Sequence, residues 1–155
     1  MPTTLRDEIK QTKPFKRPAD EALLSIMRTA AVLEHAGNEA LKSHGLTHTQ
    51  YNVLRILRGA GKRGLCGRDI AERMVSHVPD VSRLLDRMED AGVIVRMRDP
   101  DDRRHVTARI TAAGRKRLAD ATPELERTGR ARTARLSPAE IAGLIRMLAA
   151  IREQL

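Results

Sequence analysis

Pro79-Asp80-Val81-Ser82-Arg83-Leu84-Leu85-Asp86-Arg87-Met88-Glu89-Asp90-Ala91-Gly92 runs directly into Val93-Ile94-Val95-Arg96-Met97-Arg98. Asp99-Pro100-Asp101-Asp102-Arg103-Arg104-His105 follows, and then Val106-Thr107-Ala108-Arg109-Ile110. The first part has a helical period: Val81, Leu84, Leu85 and Met88 fall at i, i+3, i+4 and i+7, one apolar stripe. Pro79 suits the first helical turn, where its missing N–H costs nothing, and Gly92 stands where a left-handed cap would end the helix. Asp80, Ser82, Arg83, Asp86 and Arg87 lie off the stripe and are expected to face outward.

The second part alternates. Val93, Val95 and Met97 point one way, and Ile94, Arg96 and Arg98 the other; Val106, Ala108 and Ile110 alternate with Thr107 and Arg109. Asp99-Pro100 and its acidic neighbours read as a turn. A polar-faced helix followed by an arginine-tipped hairpin is what a winged helix-turn-helix requires. The helix offers side chains to a major groove, and the hairpin tip reaches the adjoining backbone or minor groove. Taken alone, the stretch also fits a solvated helix packed on a surface hairpin.

Composition narrows the choice. At 155 residues the chain makes one compact domain with helical flanks, long enough to bury a core. Hydrophobic residues are 41% of the chain but aromatics only 1%, so the core is built from Leu, Ile, Val, Ala and Met, which favours helices. With Phe15 and Tyr51 as the aromatics, stacking on single-stranded bases has almost no support. The net charge of +9 and pI near 10.7 suit a polyanionic partner. No apolar run approaches the ~20 residues of a membrane span, and the N-terminus lacks a signal-peptide core. A single cysteine, Cys66, excludes an internal disulfide and a cysteine-rich zinc site. The expected compartment is the cytoplasm, and no membrane partner is expected.

Working outward, residues 1–18 carry Arg6, Lys10, Lys13, Lys16 and Arg17 and read as a basic arm, either disordered or partly helical. A long helix follows from Ala19 to about Ser43. In it Leu23, Ile26, Met27, Ala30, Ala31 and Leu41 suit packing, Leu24 and Val32 widen the buried face, and Gly45 is the stop. Leu46-Thr47-His48-Thr49-Gln50-Tyr51 is a complete start signal: a Thr47/Gln50 capping box and a Leu46/Tyr51 staple. This second helix runs to about Arg58 and buries Val53, Leu54 and Leu57. Residues 59–64 are a loop, and 65–74 a short third helix with Ile70, Ala71 and Met74 inward. A turn at 75–78 then joins it to the helix at Pro79, giving the helix-turn-helix. Beyond the hairpin, Thr111 caps a fifth helix that continues toward Arg135, which Pro123 is expected to kink or divide. Leu136-Ser137-Pro138-Ala139-Glu140-Ile141 starts the last helix, whose apolar face holds Leu144, Ile145, Leu148, Ile151 and Leu155.

This order resembles the MarR family of bacterial transcription regulators. The residues that carry the resemblance are Val81 to Gly92, which look like that family's recognition helix. The second signature is the run Asp99 to Arg104 with Ile110-Thr111-Ala112-Ala113-Gly114. The resemblance covers about residues 20–155. It implies a homodimer, DNA binding and release by a small ligand or oxidant. It departs from the family at Cys66, where Ser or Thr is usual as the cap of the third helix. A thiol at a helix start caps poorly, or else has a lowered pKa and reacts with oxidants. Peroxide-sensing members place their cysteine nearer the N-terminus, so that site does not carry over.

The candidate sites follow. The DNA-binding set is Arg68, Ser76, His77, Pro79, Asp80, Ser82, Arg83, Arg87, Arg98, Asp102, Arg103 and Arg104. Arg83 would donate to guanine N7 and O6, Arg87 would hold a phosphate, Asp80 would accept from a cytosine amine, and His77 would meet phosphate or backbone. The alternative for the arginines is a network in which Asp86 pairs with Arg83 or Arg87. Asp102 is expected to orient Arg104 at the wing, beside Arg103. A ligand pocket, taking a small aromatic acid, would be lined by Leu33, His35, Leu41, His48, Tyr51, Leu54 and Leu118; the alternative is a packed core there. Leu144, Leu148 and Ile151 would form the dimer interface. His44 and His48 are separated by Gly45, so a zinc pair is not supported, and no metal or cofactor is expected. No nucleophile–base pair, phosphate loop or paired-carboxylate site points to an enzyme.

The expected fold is mainly α, a winged helix-turn-helix with a small β-hairpin wing, flanked by N- and C-terminal dimerisation helices. Residues 46–111 form the DNA-binding region, and 19–45 with 112–155 the helical dimerisation region. The expected function is a sequence-specific regulator of double-stranded DNA, a repressor binding a palindromic operator. The alternatives are an architectural nucleic-acid protein without ligand control and a redox-sensing regulator acting through Cys66.

Overall fold

The computed structural model describes residues 4–98 and 106–153. The order is α1 (Leu5–Glu8), α2 (Pro18–Leu41), a 3-10 turn (Lys42–His44), α3 (His48–Ala60), a second 3-10 turn (Gly61–Arg63), β1 (Leu65–Cys66), α4 (Gly67–Arg73), α5 (Val81–Asp90), β2 (Ile94–Arg98), β3 (Val106–Ile110), α6 (Ala112–Thr133) and α7 (Pro138–Arg152). It is a mainly helical winged helix, as its sequence predicts.

Local chemistry sets the boundaries. Thr47 and Gln50 close a full capping box at the start of α3, and the staple residues Leu46 and Tyr51 are both buried. Ser137 and Glu140 do the same for α7, with Pro138 in the first turn. Gly92 takes φ 70° just past α5, the expected stop. The start of α5 is one turn-position later than expected. Asp80 is the N-cap, accepting from the Arg83 N–H at 2.8 Å, so Pro79 stands outside the helix. Pro123 neither ends nor divides α6, which is continuous from Ala112 to Thr133. The Thr122 hydroxyl donates to the Leu118 carbonyl at 2.7 Å on the turn before the proline.

The third helix also begins later than expected, because Leu65 and Cys66 are a strand. β1 pairs with β3 (Leu65 opposite Ala108, Cys66 opposite Thr107), and β2 pairs with β3 from Ile94 opposite Ile110 to Arg98 opposite Val106. The hairpin is therefore a three-stranded antiparallel sheet in the order β1-β3-β2. Gly64 permits the third strand: it has φ 70°, and a Cβ there would sit 2.6 Å from the Ala108 carbonyl oxygen.

One core runs through residues 41–121. Leu41, Val53, Leu54, Leu57, Ile70 and Met88 have no exposed surface, and Val93, Ile94, Ala108 and Leu118 join them. Ala71, expected inward, is exposed, because the short α4 turns only Ile70 fully into the core. The larger departure is α2. Only Gly37 and Leu41 are buried there, while Leu23, Leu24, Met27, Ala30 and Ala31, all expected to pack, are exposed. α7 buries none of its described residues. The apolar faces are present, but among the described residues nothing covers them. No described helix is long and apolar enough to cross a membrane.

Candidate nucleic-acid interface

α5 divides its residues by face. Leu84, Leu85 and Met88 anchor it to the core, and Ser82, Arg83, Asp86 and Arg87 are exposed on the other side. The turn before it exposes Ser76, His77 and Pro79. Asp80 spends one carboxylate oxygen on the helix cap, so a base contact from Asp80 would have to use the other.

The alternative Arg–Asp network within α5 does not form among the described residues. Asp86 instead pairs with Arg96 of β2 at 2.6 Å, and Arg83 and Arg87 carry no ion pair among the described residues. Arg96 also donates from Nε to Glu89 Oε2 at 2.8 Å, and its backbone N–H donates to Glu89 Oε1 at 2.7 Å. These contacts hold the Glu89 carboxyl below the usual glutamate range, the Arg96 backbone N–H contributing most. The Arg96 guanidinium is held above its ordinary value chiefly by its hydrogen bond to Glu89. Arg96 was not among the expected site residues. The signal for it was alternation: it shares a strand face with buried Ile94, and an arginine turned toward a core must find acids.

Arg68 lies on α4, paired with Glu72 at 3.0 Å; both side chains are well exposed, so the pair is weak and open to exchange for a phosphate. Arg98 is exposed at the end of β2. Asp102, Arg103 and Arg104, and with them the expected Asp102–Arg104 pairing, lie outside the described residues. Cys66 is the N-cap of α4, its Sγ accepting from the Asp69 N–H at 3.5 Å. Among the described residues no three His, Cys, Asp or Glu side chains are grouped to hold a metal ion.

The expected ligand pocket needs correction. Leu41, Leu54 and Leu118 are packed in the core with at most 1% of their surface exposed, and offer nothing to a ligand. Tyr51 is buried too, its hydroxyl 3.0 Å from Thr122 Oγ1. His35 is exposed on α2. Leu33 and His48 line a groove of about 290 Å³, shared with Ala36, Gly37, Leu125 and Arg132, between α2, α3 and α6. The apolar residues at the junction fill it, and the opening lies one layer farther out. A larger cavity of about 630 Å³ lies beside α5, with Lys42, Thr47, Gln50, His77, Pro79 and Arg87 in its walls.

The expected interface residues Leu144 and Ile151 are exposed and Leu148 is half-buried. Ile145 at 60% and Met147 at 61% exposure extend the apolar surface of α7, and Met27 at 68% is exposed on α2.

The comparisons agree with this architecture. The MarR family model matches residues 46–106. A MarR transcription factor from Planctomyces limnophilus is 32% identical, with a TM-score of 0.68 over 88% of this chain and 99% of that one. The regulator YkoM of Bacillus subtilis (strain 168), itself uncharacterised, is 34% identical over 88 residues, 57% of this chain and 55% of YkoM. The chain thus spans about half the length of the curated relatives it matches. The S. aureus MepR–DNA complex shares the fold at 23% identity, with a TM-score of 0.78 over 85% of this chain and 96% of that one. The helix-turn-helix, the three-stranded wing and the flanking helices are those of the relatives, and this chain belongs to the MarR family of winged-helix transcriptional regulators.

Proposed function

We propose that the protein is a homodimeric repressor that binds a palindromic operator in double-stranded DNA and is released by a small ligand. The observation that carries this reading is the face of α5. Its apolar stripe is spent on the core, and its other side exposes Ser82, Arg83 and Arg87 beside the exposed turn Ser76–His77. An exposed cationic helix on a chain of net charge +9 matches the acceptor edges of a major groove and its flanking phosphates. In the S. aureus complex a protein of this fold is bound to DNA. Asp80, Pro79, His77 and Arg68 belong at the edge of the same contact, and Arg98 on the wing side. Operation on DNA implies the cytoplasm.

A dimer follows from what one chain leaves uncovered. The apolar faces of α2 and α7 need a cover, and a second copy supplies an identical pair. Two copies also place two α5 helices on one duplex, which extends a short half-site into a palindrome. The ligand reading moves to the groove at Leu33 and His48, where the Arg132 guanidinium stands ready for the carboxylate of a small aromatic acid. A ligand there lowers DNA affinity only by favouring a spacing of the two α5 helices that misses successive major grooves, with an ordinary coupling of ~1–3 kcal/mol.

Selecting duplexes from a randomised pool with the full chain, then titrating aromatic carboxylates against the selected complex, tests both parts. An enriched inverted repeat that benzoate-type acids dissociate is the expected result. Unselective binding that no carboxylate weakens would favour an architectural protein instead.

A further inference from the structure

We propose that Arg96 is the positioning residue that fixes the β2–β3 hairpin to the outward side of α5, so that helix and hairpin meet DNA as one body. The inference rests on the DNA-binding reading above. Its basis is one side chain and one backbone group converging on two acids of the same helix. Arg96 Nη2 meets Asp86 Oδ1 at 2.6 Å, and Nε meets Glu89 Oε2 at 2.8 Å. The Arg96 N–H meets Glu89 Oε1 at 2.7 Å.

Each contact has a distinct consequence. Among the described residues β2 is an edge strand, paired with β3 alone, so an outward N–H on it lacks a ladder partner. Glu89 takes that N–H, which ties the strand itself to α5, and its other oxygen holds the guanidinium. Both oxygens of one carboxylate are thereby engaged, which fixes direction as well as distance. Asp86 lies between Arg83 and Arg87 on the face offered to DNA. Left alone, an acid there repels phosphate, and, three residues on from Arg83, it draws that arginine into an intrahelical pair. Engaged by Arg96, it does neither, and the two exposed arginines are left for the nucleic acid.

The test separates position from charge. Arg96→Ala removes a cation, so weaker DNA binding alone would not discriminate. Glu89→Ala removes an acid and raises the net charge by one, so charge alone predicts tighter binding, whereas loss of positioning predicts weaker binding. The probe is the duplex the wild-type chain selects from a randomised pool, read by titration over a salt series and by hydroxyl-radical footprinting. Both variants should bind about tenfold more weakly, the loss of one good contact per half-site. The slope of log K against log salt should fall by about 1 for each phosphate contact the hairpin gives up. Backbone protection flanking each half-site should fade while protection within the half-sites remains. Arg96→Lys, which keeps the charge but not the fork, should recover only part of the affinity. A variant that merely lowers the melting temperature and leaves slope and flanking protection intact overturns the inference, as does Glu89→Ala binding as tightly as wild type. Should the wild-type chain select no duplex, the DNA-binding reading itself fails, and this inference with it.

Discussion

Arg83 and Arg87 are one helical turn apart, and the division of labour between them is a question of chemistry at single residues. Arg83 lies nearer the start of α5, where a helix meets base edges. Arg83→Ala should cost ~1–3 kcal/mol and relax the preference at one operator position. Arg87→Ala should weaken binding to all sequences alike and lower the salt slope by about 1. Competition titrations against a panel of single-base operator variants distinguish the two; a uniform loss for Arg83→Ala would reverse the assignment. Cys66 poses a different residue-scale question. Sulfur is a weak acceptor, and its 3.5 Å contact with the Asp69 N–H is long. Cys66→Ser should shorten that bond and stabilise α4 by about 0.5–1 kcal/mol, raising the melting temperature by roughly 1–4 °C. A lower melting temperature would show that packing of the thiol outweighs its cap.

Between elements, the joint of β2 and α5 is acid-sensitive. The Glu89 carboxyl is held below the ordinary glutamate range by the Arg96 backbone N–H and then by its side chain. A carboxyl lowered in the folded state stabilises the fold at pH values above its unfolded pKa, and that contribution is lost as pH falls through the folded value. The wild-type melting temperature should therefore fall more steeply than that of Glu89→Gln as the solution is taken from neutral to acid. Glu89 is about a third exposed, so the difference is small but its sign is fixed. Parallel slopes for the two proteins would contradict it. At this scale the sequence was most readable where a pattern had room to repeat. The stripe from Val81 to Met88 specifies a helix and its inner face; the alternation from Ile94 to Arg98 specifies a strand but not its inner face, since Val95 and Met97 are exposed while Ile94 and Arg96 turn inward. β1 was not readable, since two residues cannot show an alternation, and its pairing depends on the distant Ala108 and Thr107. Leu41, Leu54 and Leu118 read as a pocket lining for a related reason: apolar residues at a junction describe a lining and a filled core equally well, and these three pack in the core.

For the whole molecule, periodicity identifies an apolar face without saying which chain covers it. Leu23, Met27 and Leu24 on α2 were legible as a buried face, yet they are exposed in the single chain, together with Leu144, Ile145 and Met147 on α7. The dimer proposal resolves this. Leu144→Glu should dissociate the dimer without unfolding the core, which contains no α7 residue. Light scattering on the variant should give the monomer mass with its helical content kept. A variant that remains dimeric would move the interface elsewhere.

Selection of duplexes by the chain from a randomised pool, followed by measurement of how many chains bind each one, tests the reading most directly. Two chains on an inverted repeat, with half-site centres about one helical turn, ~10 base pairs, apart, is the predicted result. Enrichment of no motif, or one chain on a single unrepeated site, would contradict it.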